Sequence, residues 1–230
     1  RALWQDTGTI PQVAVLHSEH HVRRHYGKNL HWDVDSAPVK GAVFSLLEND
    51  YGVDVLDEWA LMPRLMDFPV VVAPERNDMS DEMVQALKTY VENGGKLLVS
   101  GATGFDRFGA EFLGVDGGTI EEKATYHIPA GGGAVPVYSE KWRLIKPTTA
   151  KSIGRLGRTP LLDDRLLPHP AATIHKVGKG AVAYVPCDIF RFFDRNWYPM
   201  VSGFVASLVD QLAGLLPISV TGPACVDVVL

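Results

Sequence analysis

Glu75 and the turn Gly101-Ala102-Thr103-Gly104 are the residues best placed to meet a ligand, because each directly follows a run that reads as a buried strand. Val70, Val71 and Val72 form the first run, ended by Pro74, and Lys96 to Ser100 forms the second. A strand-to-turn elbow is where many hydrolases expose a serine or cysteine, with neighbouring backbone N–H groups ready to hold an oxyanion. Here the elbow carries glycine, alanine and threonine, and a threonine without an adjacent base is a weak nucleophile. Neither G-x-S-x-G nor the phosphate-cradling G-x-x-x-x-G-K-S/T occurs. The turn therefore reads as structural, with no catalytic residue. The alternative is a ligand-facing loop in which Phe105 and Asp106 offer a stacking face and a carboxylate.

Five of the eight histidines, His17, His20, His21, His25 and His31, fall close together after the first predicted strand. Imidazole is a common metal ligand, so the enrichment raises the question of a metal site. The spacing argues against one: HHVRRH lacks the glutamate of H-E-x-x-H, and Arg23 and Arg24 would repel a cation. His21 and His25 would share a face only in a helix, and Glu19 to Ser36 shows the weak periodicity of a long polar loop. A solvated or interface loop without metal is the expectation. Within it, NLHWDVDS brings His31, Trp32, Asp33 and Asp35 together. Aromatic faces stack on sugar C–H groups and carboxylates accept hydroxyl protons, so this group is a candidate carbohydrate contact. Two aspartates in one loop are more often an N-cap and a solvated neighbour. A second aromatic stretch, DIFRFFDRNWYP from Asp188 to Pro199, reads as a packing interface rather than a catalytic one.

The elements that must position these residues follow from periodicity. VAVLHS, from Val13, is a short buried strand introduced by Pro11. Pro38 suits the start of a helix through Asn49, with Val39, Val43, Leu46 and Leu47 on its apolar face. Val53 to Leu56 is a second strand, and Trp59 to Met66 a short helix leading to the Val70 strand. Ser80 N-caps the next helix, Asp81 and Glu82 complement its dipole, and Met83, Leu87, Tyr90 and Val91 form one apolar stripe. Gly94 and Gly95 end it before the Lys96 strand. This β-α-β order demands right-handed crossovers and a parallel sheet, and ligands meet such sheets beyond the carboxyl ends of the strands.

Beyond Phe105 the pattern changes. Arg107 to Leu113 suits one or two helical turns and Gly114 to Gly118 a turn. Short β-like runs follow at 125–128, 135–138 and 142–145, with PAGGGAVP as a loop between two of them. AATIHKVGKGAVAYVPCDI makes an antiparallel hairpin about Gly178-Lys179-Gly180, and Trp197 to Leu215 a final helix.

With 46% hydrophobic and 21% charged residues over 230 positions, the composition is that of a globular protein large enough for one sizeable α/β domain. A net charge of −5 with no basic stripe gives no case for a nucleic-acid partner or an anionic membrane. Cys187 and Cys225 are too few and too far apart for a disulfide framework or a zinc site. The chain opens on Arg1 and closes on ACVDVVL, which alternates like a strand; a piece of a longer multidomain chain is the expectation.

PVKGAVFSLLENDYGVDVLDEW, FPVVVAPERNDMSDEMVQALKTYVENGGKLLVSG and VGKGAVAYVPCDIF resemble the trimerisation domain of bacterial beta-galactosidases and related domains of glycoside hydrolases. The resemblance spans 11–104 and, more loosely, 171–215, leaving Thr119 to Pro170 without a counterpart. It implies membership of the class I glutamine amidotransferase-like superfamily, a non-catalytic role beside a (β/α)₈ barrel, oligomer contacts near the active sites, and no cofactor.

Together these readings predict a three-layer, flavodoxin-like α/β fold of class I glutamine amidotransferase type, with a mostly parallel sheet. One domain would occupy 1–230, with a β-rich insertion at 114–170. The predicted function is an accessory and oligomerisation domain of a carbohydrate-active enzyme, partnered by a parent catalytic barrel, a second copy of itself and possible carbohydrate. His17, His31, Trp32, Asp33, Glu75, Phe105 and Asp106 are the ligand or interface candidates. The alternatives are an amidotransferase-like or sugar-modifying hydrolase in its own right and a sugar-binding module.

Overall fold

Short valine-rich runs become parallel strands wherever a helix can carry the chain back over the sheet. The computed structural model describes residues 12–25, 36–75, 78–161, 166–214 and 216. Its first half comprises β1 (Val13–Leu16), α1 (Glu19–His25), α2 (Ala37–Leu47), β2 (Val53–Leu56), α3 (Glu58–Leu61), a 3₁₀ segment (Met62–Asp67), β3 (Val70–Ala73), α4 (Asp81–Glu92) and β4 (Lys96–Ser100). Two short helices, α5 (Gly104–Phe108) and α6 (Ala110–Leu113), lead into β5 (Val115–Ala130) and β6 (Gly133–Pro147). Then come β7 (Lys151–Ile153), β8 (Ala172–Val177), β9 (Gly180–Val185), α7 (Ile189–Asn196) and α8 (Pro199–Ala213).

Among the described residues the main sheet has seven strands in the order β2-β1-β3-β4-β9-β8-β7, and β5 and β6 form a separate two-stranded sheet. From β2 to β9 the pairing is parallel; β8 and β7 add antiparallel strands at one edge. Alternate residues of each buried strand point to opposite faces. Val13, Val15, Val70, Val72 and Leu98 pack with α2, α7, α8 and the β5–β6 hairpin. Ala14, Leu16, Val71, Ala73 and Val99 pack with the 3₁₀ segment, α4, α5 and α6. The result is the expected doubly wound, flavodoxin-like α/β fold with an antiparallel hairpin insertion. No helix among the described residues is long and apolar enough to cross a membrane.

Local signals hold where they were strongest. Ser80 Oγ accepts the Met83 N–H at 3.1 Å, and α4 buries Met83, Leu87, Tyr90 and Val91. Several segments differ, among them Gly114 to Gly118, where β5 already begins at Val115 in place of the expected turn. Glu19 to His25 is a helix rather than loop, because Ser18 Oγ accepts the His21 N–H and the distant Glu58 carboxylate accepts the Glu19 N–H. The predicted β-like runs fuse into two long strands, with register running from Val115↔Pro147 to Ala130↔Gly133, so the glycine-rich loop shrinks to Gly131-Gly132. Lys151 to Ile153, unassigned from sequence, pairs with β8 and extends the main sheet. The aromatic stretch after Asp188 is α7, whose Phe190, Phe192 and Phe193 are buried in the chain's own core, while Trp197 and Tyr198 stay half-exposed. Trp197 takes a left-handed backbone that ends α7, so α8 starts at Pro199 instead of Trp197.

Candidate functional site

β4 runs into Gly101, whose φ of +95° lies in the left-handed region that glycine enters without a Cβ clash. This is the elbow position, and its polar backbone is already engaged. The Gly101 N–H donates to Val185 O and Cys187 O, each at 3.0 Å, at the end of neighbouring β9. Tyr184 Oη donates to Gly101 O at 3.0 Å, and Arg143 Nε donates to Ala102 O at 2.7 Å. Burial pushes the Tyr184 hydroxyl well above its usual range, so it stays a donor. A Gly101 N–H held in this way is turned into the sheet rather than toward an oxyanion.

Arg143 reaches the turn from β6. It is buried, its Nη2 lies 2.8 Å from both Asp106 carboxylate oxygens, and its guanidinium sits 4.8 Å from the centre of the Phe105 ring. Phe105 and Asp106 thus form a cation–π and ionic clamp that holds the hairpin to the sheet.

Glu75 follows β3 with a φ of +52°, uncommon for a residue with a side chain, and its N–H donates to Ser100 Oγ at 3.1 Å. Its carboxylate lies against the N-terminus of α7, accepting the Phe190 N–H at 2.7 Å and, more loosely, the Arg191 N–H at 3.3 Å. Burial, and then the charge of Asp188, raise its pKa well above the usual carboxylate range; the two N–H groups and Arg191 oppose them. Asp188 is also raised by burial, against the pull of Ser139, whose Oγ donates to Asp188 Oδ2 at 2.9 Å. Cys187 lies beside both acids, 1% exposed, with its thiol pushed well up first by burial and then by Asp188 and Glu75. A buried thiol facing two carboxyls is held protonated and is a poor nucleophile.

His17 is half-buried at the carboxyl end of β1, where its N–H donates to Leu56 O. His31, Trp32 and Asp33 lie outside the described residues. The structure therefore brings Glu75, Phe105 and Asp106 to the carboxyl end of the sheet without merging them into one pocket: Glu75 accepts from α7, and the other two meet Arg143 of β6. Sequence reasoning missed Arg143, Asp188 and a polar network across the loops after β1, β2 and β3. In that network Ser18 Oγ donates to Glu58 Oε1 at 2.5 Å, and His21 Nδ1 lies 2.6 and 2.7 Å from the two Asp78 oxygens. The one local signal was Ser18, a helix-capping residue type three positions before His21. Among the described residues, no group of three or more His, Cys, Asp or Glu side chains is arranged to hold a metal ion.

No protein-family model matches the chain, and no curated protein matches it. Several solved structures do. A catalytic mutant of a GH42 beta-galactosidase from G. stearothermophilus aligns over 88% of this chain and 30% of its own, with 20% identity and a TM-score of 0.63. Alpha-L-fucosidase isoenzyme 2 from Paenibacillus thiaminolyticus aligns over 93% of this chain and 34% of its own, with 20% identity and a TM-score of 0.68. A cytoplasmic protein from Salmonella typhimurium aligns over 87% of this chain and 98% of its own, with 14% identity and a TM-score of 0.59. The chain spans about a third of the length of the two glycoside hydrolases. At these identities the likeness is one of fold: the chain shares its architecture with a domain-sized region of glycoside hydrolases, among them the beta-galactosidases that its sequence resembles.

Proposed function

We propose that this chain is a non-catalytic accessory and assembly domain of a glycoside hydrolase, docking against a parent catalytic barrel and a second copy of itself. The observation that carries this reading is the closed elbow: it carries Gly101, Ala102 and Thr103 and no cysteine or serine, and the Gly101 N–H is bonded to Val185 O and Cys187 O. The fold shared with a region about one third the length of a GH42 beta-galactosidase and an alpha-L-fucosidase supports it. So does Trp59, 74% exposed just after the carboxyl end of β2, since tryptophan is a residue type that anchors interfaces.

Analytical ultracentrifugation tests the assembly role, with a defined oligomer expected and Trp59→Ala weakening it. Turnover assays on glutamine and on aryl glycosides with the 230-residue chain test the other half, with no activity expected. A second reading, a hydrolase in its own right, draws on the His21–Asp78 pair at the carboxyl end of the sheet. Turnover abolished by His21→Ala would establish that reading and end the first.

A further inference from the structure

Beside the elbow, strand β6 and helix α7 enclose a notch of about 300 Å³ that none of the roles above uses. Its floor includes the buried Ser139 and Phe192. Tyr138 and Glu140 line it from β6; Asp188, Arg191, Arg195 and Asn196 line it from the start and the outer face of α7. Arg191 and Arg195 are four residues apart, so they lie on the same helix face.

The charges select the ligand. Two guanidinium groups disfavour a cation, and two carboxyl groups, Asp188 and Glu140, disfavour a phosphate or a carboxylate. What suits such a lining is a neutral molecule whose groups both donate and accept. A hydroxyl does both: it accepts from an arginine and donates to a carboxylate. The polar groups are also fixed in advance. Tyr138 Oη donates to Glu140 Oε1 at 3.0 Å, and Ser139 Oγ donates to Asp188 Oδ2 at 2.9 Å. The Asn196 Nδ2 group donates to Phe192 O at 2.8 Å, which orients the amide and leaves its oxygen as the accepting atom. The Tyr138 ring, partly exposed at the rim, offers an apolar face to C–H groups. The volume is at the low end of small-ligand cavities, roughly 300–1,000 Å³, which suits one ring and not a chain.

We infer that this notch is a binding site for a single neutral sugar ring, gripped between the two arginines and the two acids with Tyr138 against its face. The inference deepens the proposed place in a carbohydrate-active enzyme, yet it requires no oligomer and no catalysis.

The test is titration of the 230-residue chain with galactose, fucose, mannose, glucose and, separately, inorganic phosphate, followed by amide NMR shifts and calorimetry. Saturable binding of at least one sugar is expected at a Kd of about 1 mM, with shifts confined to β6 and α7. Tyr138→Ala and Arg195→Ala should each weaken it about tenfold or more. Glu140→Gln, a near-isosteric change at an exposed residue, should weaken it in a chain whose circular dichroism is unchanged. Trp59→Ala should leave it untouched. The inference is overturned if no sugar gives saturable shifts, if the shifts map elsewhere, if phosphate binds more tightly than every sugar, or if Tyr138→Ala and Glu140→Gln both bind like the parent sequence. Sugar binding by a strictly monomeric chain would uphold this inference while removing the assembly role.

Discussion

The Glu75 carboxylate, at the end of β3, accepts the backbone N–H of Phe190 at 2.7 Å from 115 positions away. Asp188 occupies the N-cap position of α7 but makes no side-chain cap bond. The donors left over at the start of a helix need an acceptor, and here a residue from another loop supplies it. That bond joins the carboxyl end of β3 to α7.

Replacing Glu75 with alanine leaves the Phe190 and Arg191 N–H groups without this acceptor. A loss of about 1–3 kcal/mol in urea denaturation is expected. Glu75→Gln keeps an accepting oxygen and should lose much less.

The same pair of proteins gives a pH test. Because burial and Asp188 raise the Glu75 carboxyl, its folded pKa exceeds its unfolded one. Its contribution to stability is full below the unfolded value near 4.5 and is lost as pH rises through the raised folded value. Glu75→Gln, which cannot ionise, should therefore gain on the parent sequence as pH rises from 4.5. Thermal midpoints across that range check the sign, and a gain toward acid would refute the assignment.

Arg143 connects the hairpin to the elbow through Ala102 O, Asp106 and Phe105. Arg143→Ala should cost about 2–3 kcal/mol; this is below the range for a fully buried pair, because Asp106 is 55% exposed. Arg143→Lys should recover little, since an ammonium is a point charge and cannot reproduce the guanidinium's stacking and multiple fixed donors. Asp106→Asn should cost less than either. Chemical denaturation of the three variants gives the order.

Installing the missing nucleophile should not create an enzyme. Gly101→Cys places a side chain at φ +95°, with a strain of about 1–3 kcal/mol, in an elbow whose N–H is already bonded to β9. The folded variant is expected to lose stability and to show no glutaminase or esterase burst. A burst of product would mean that the crevice retains catalytic capacity.

α2 passes α7 at Gly41, where an added Cβ would lie 1.9 Å from Phe190 O. The obstacle is backbone, so it cannot rotate away. Gly41→Ala should destabilise by about 3 kcal/mol. Combined with Glu75→Ala it should fall short of additivity, because both changes release the same helix start. A double-mutant cycle measures this directly.

The sequence by itself determined the succession of strands and helices in the first half, their parallel sense and the limits of α4, whereas the order in which the strands lie in the sheet did not follow from it. Buried strands such as Val70–Ala73 appear as unbroken apolar runs, and Ser80 marks its helix by a bond only three residues long. Such signals are local, so a linear reading finds them. The absence of a nucleophile after Ser100 was legible for the same reason. Tertiary structure alone decided what the site residues touch. Phe105 and Asp106 looked available until Arg143 arrived from 37 positions beyond Asp106, and Glu75 found its donors on α7. Glu19 to His25 became helical only because Glu58, distant along the chain, covers one of its leading N–H groups. A hydrogen bond between remote residues leaves no periodicity in the chain, and so it becomes visible only once the sheet has set which loops are neighbours.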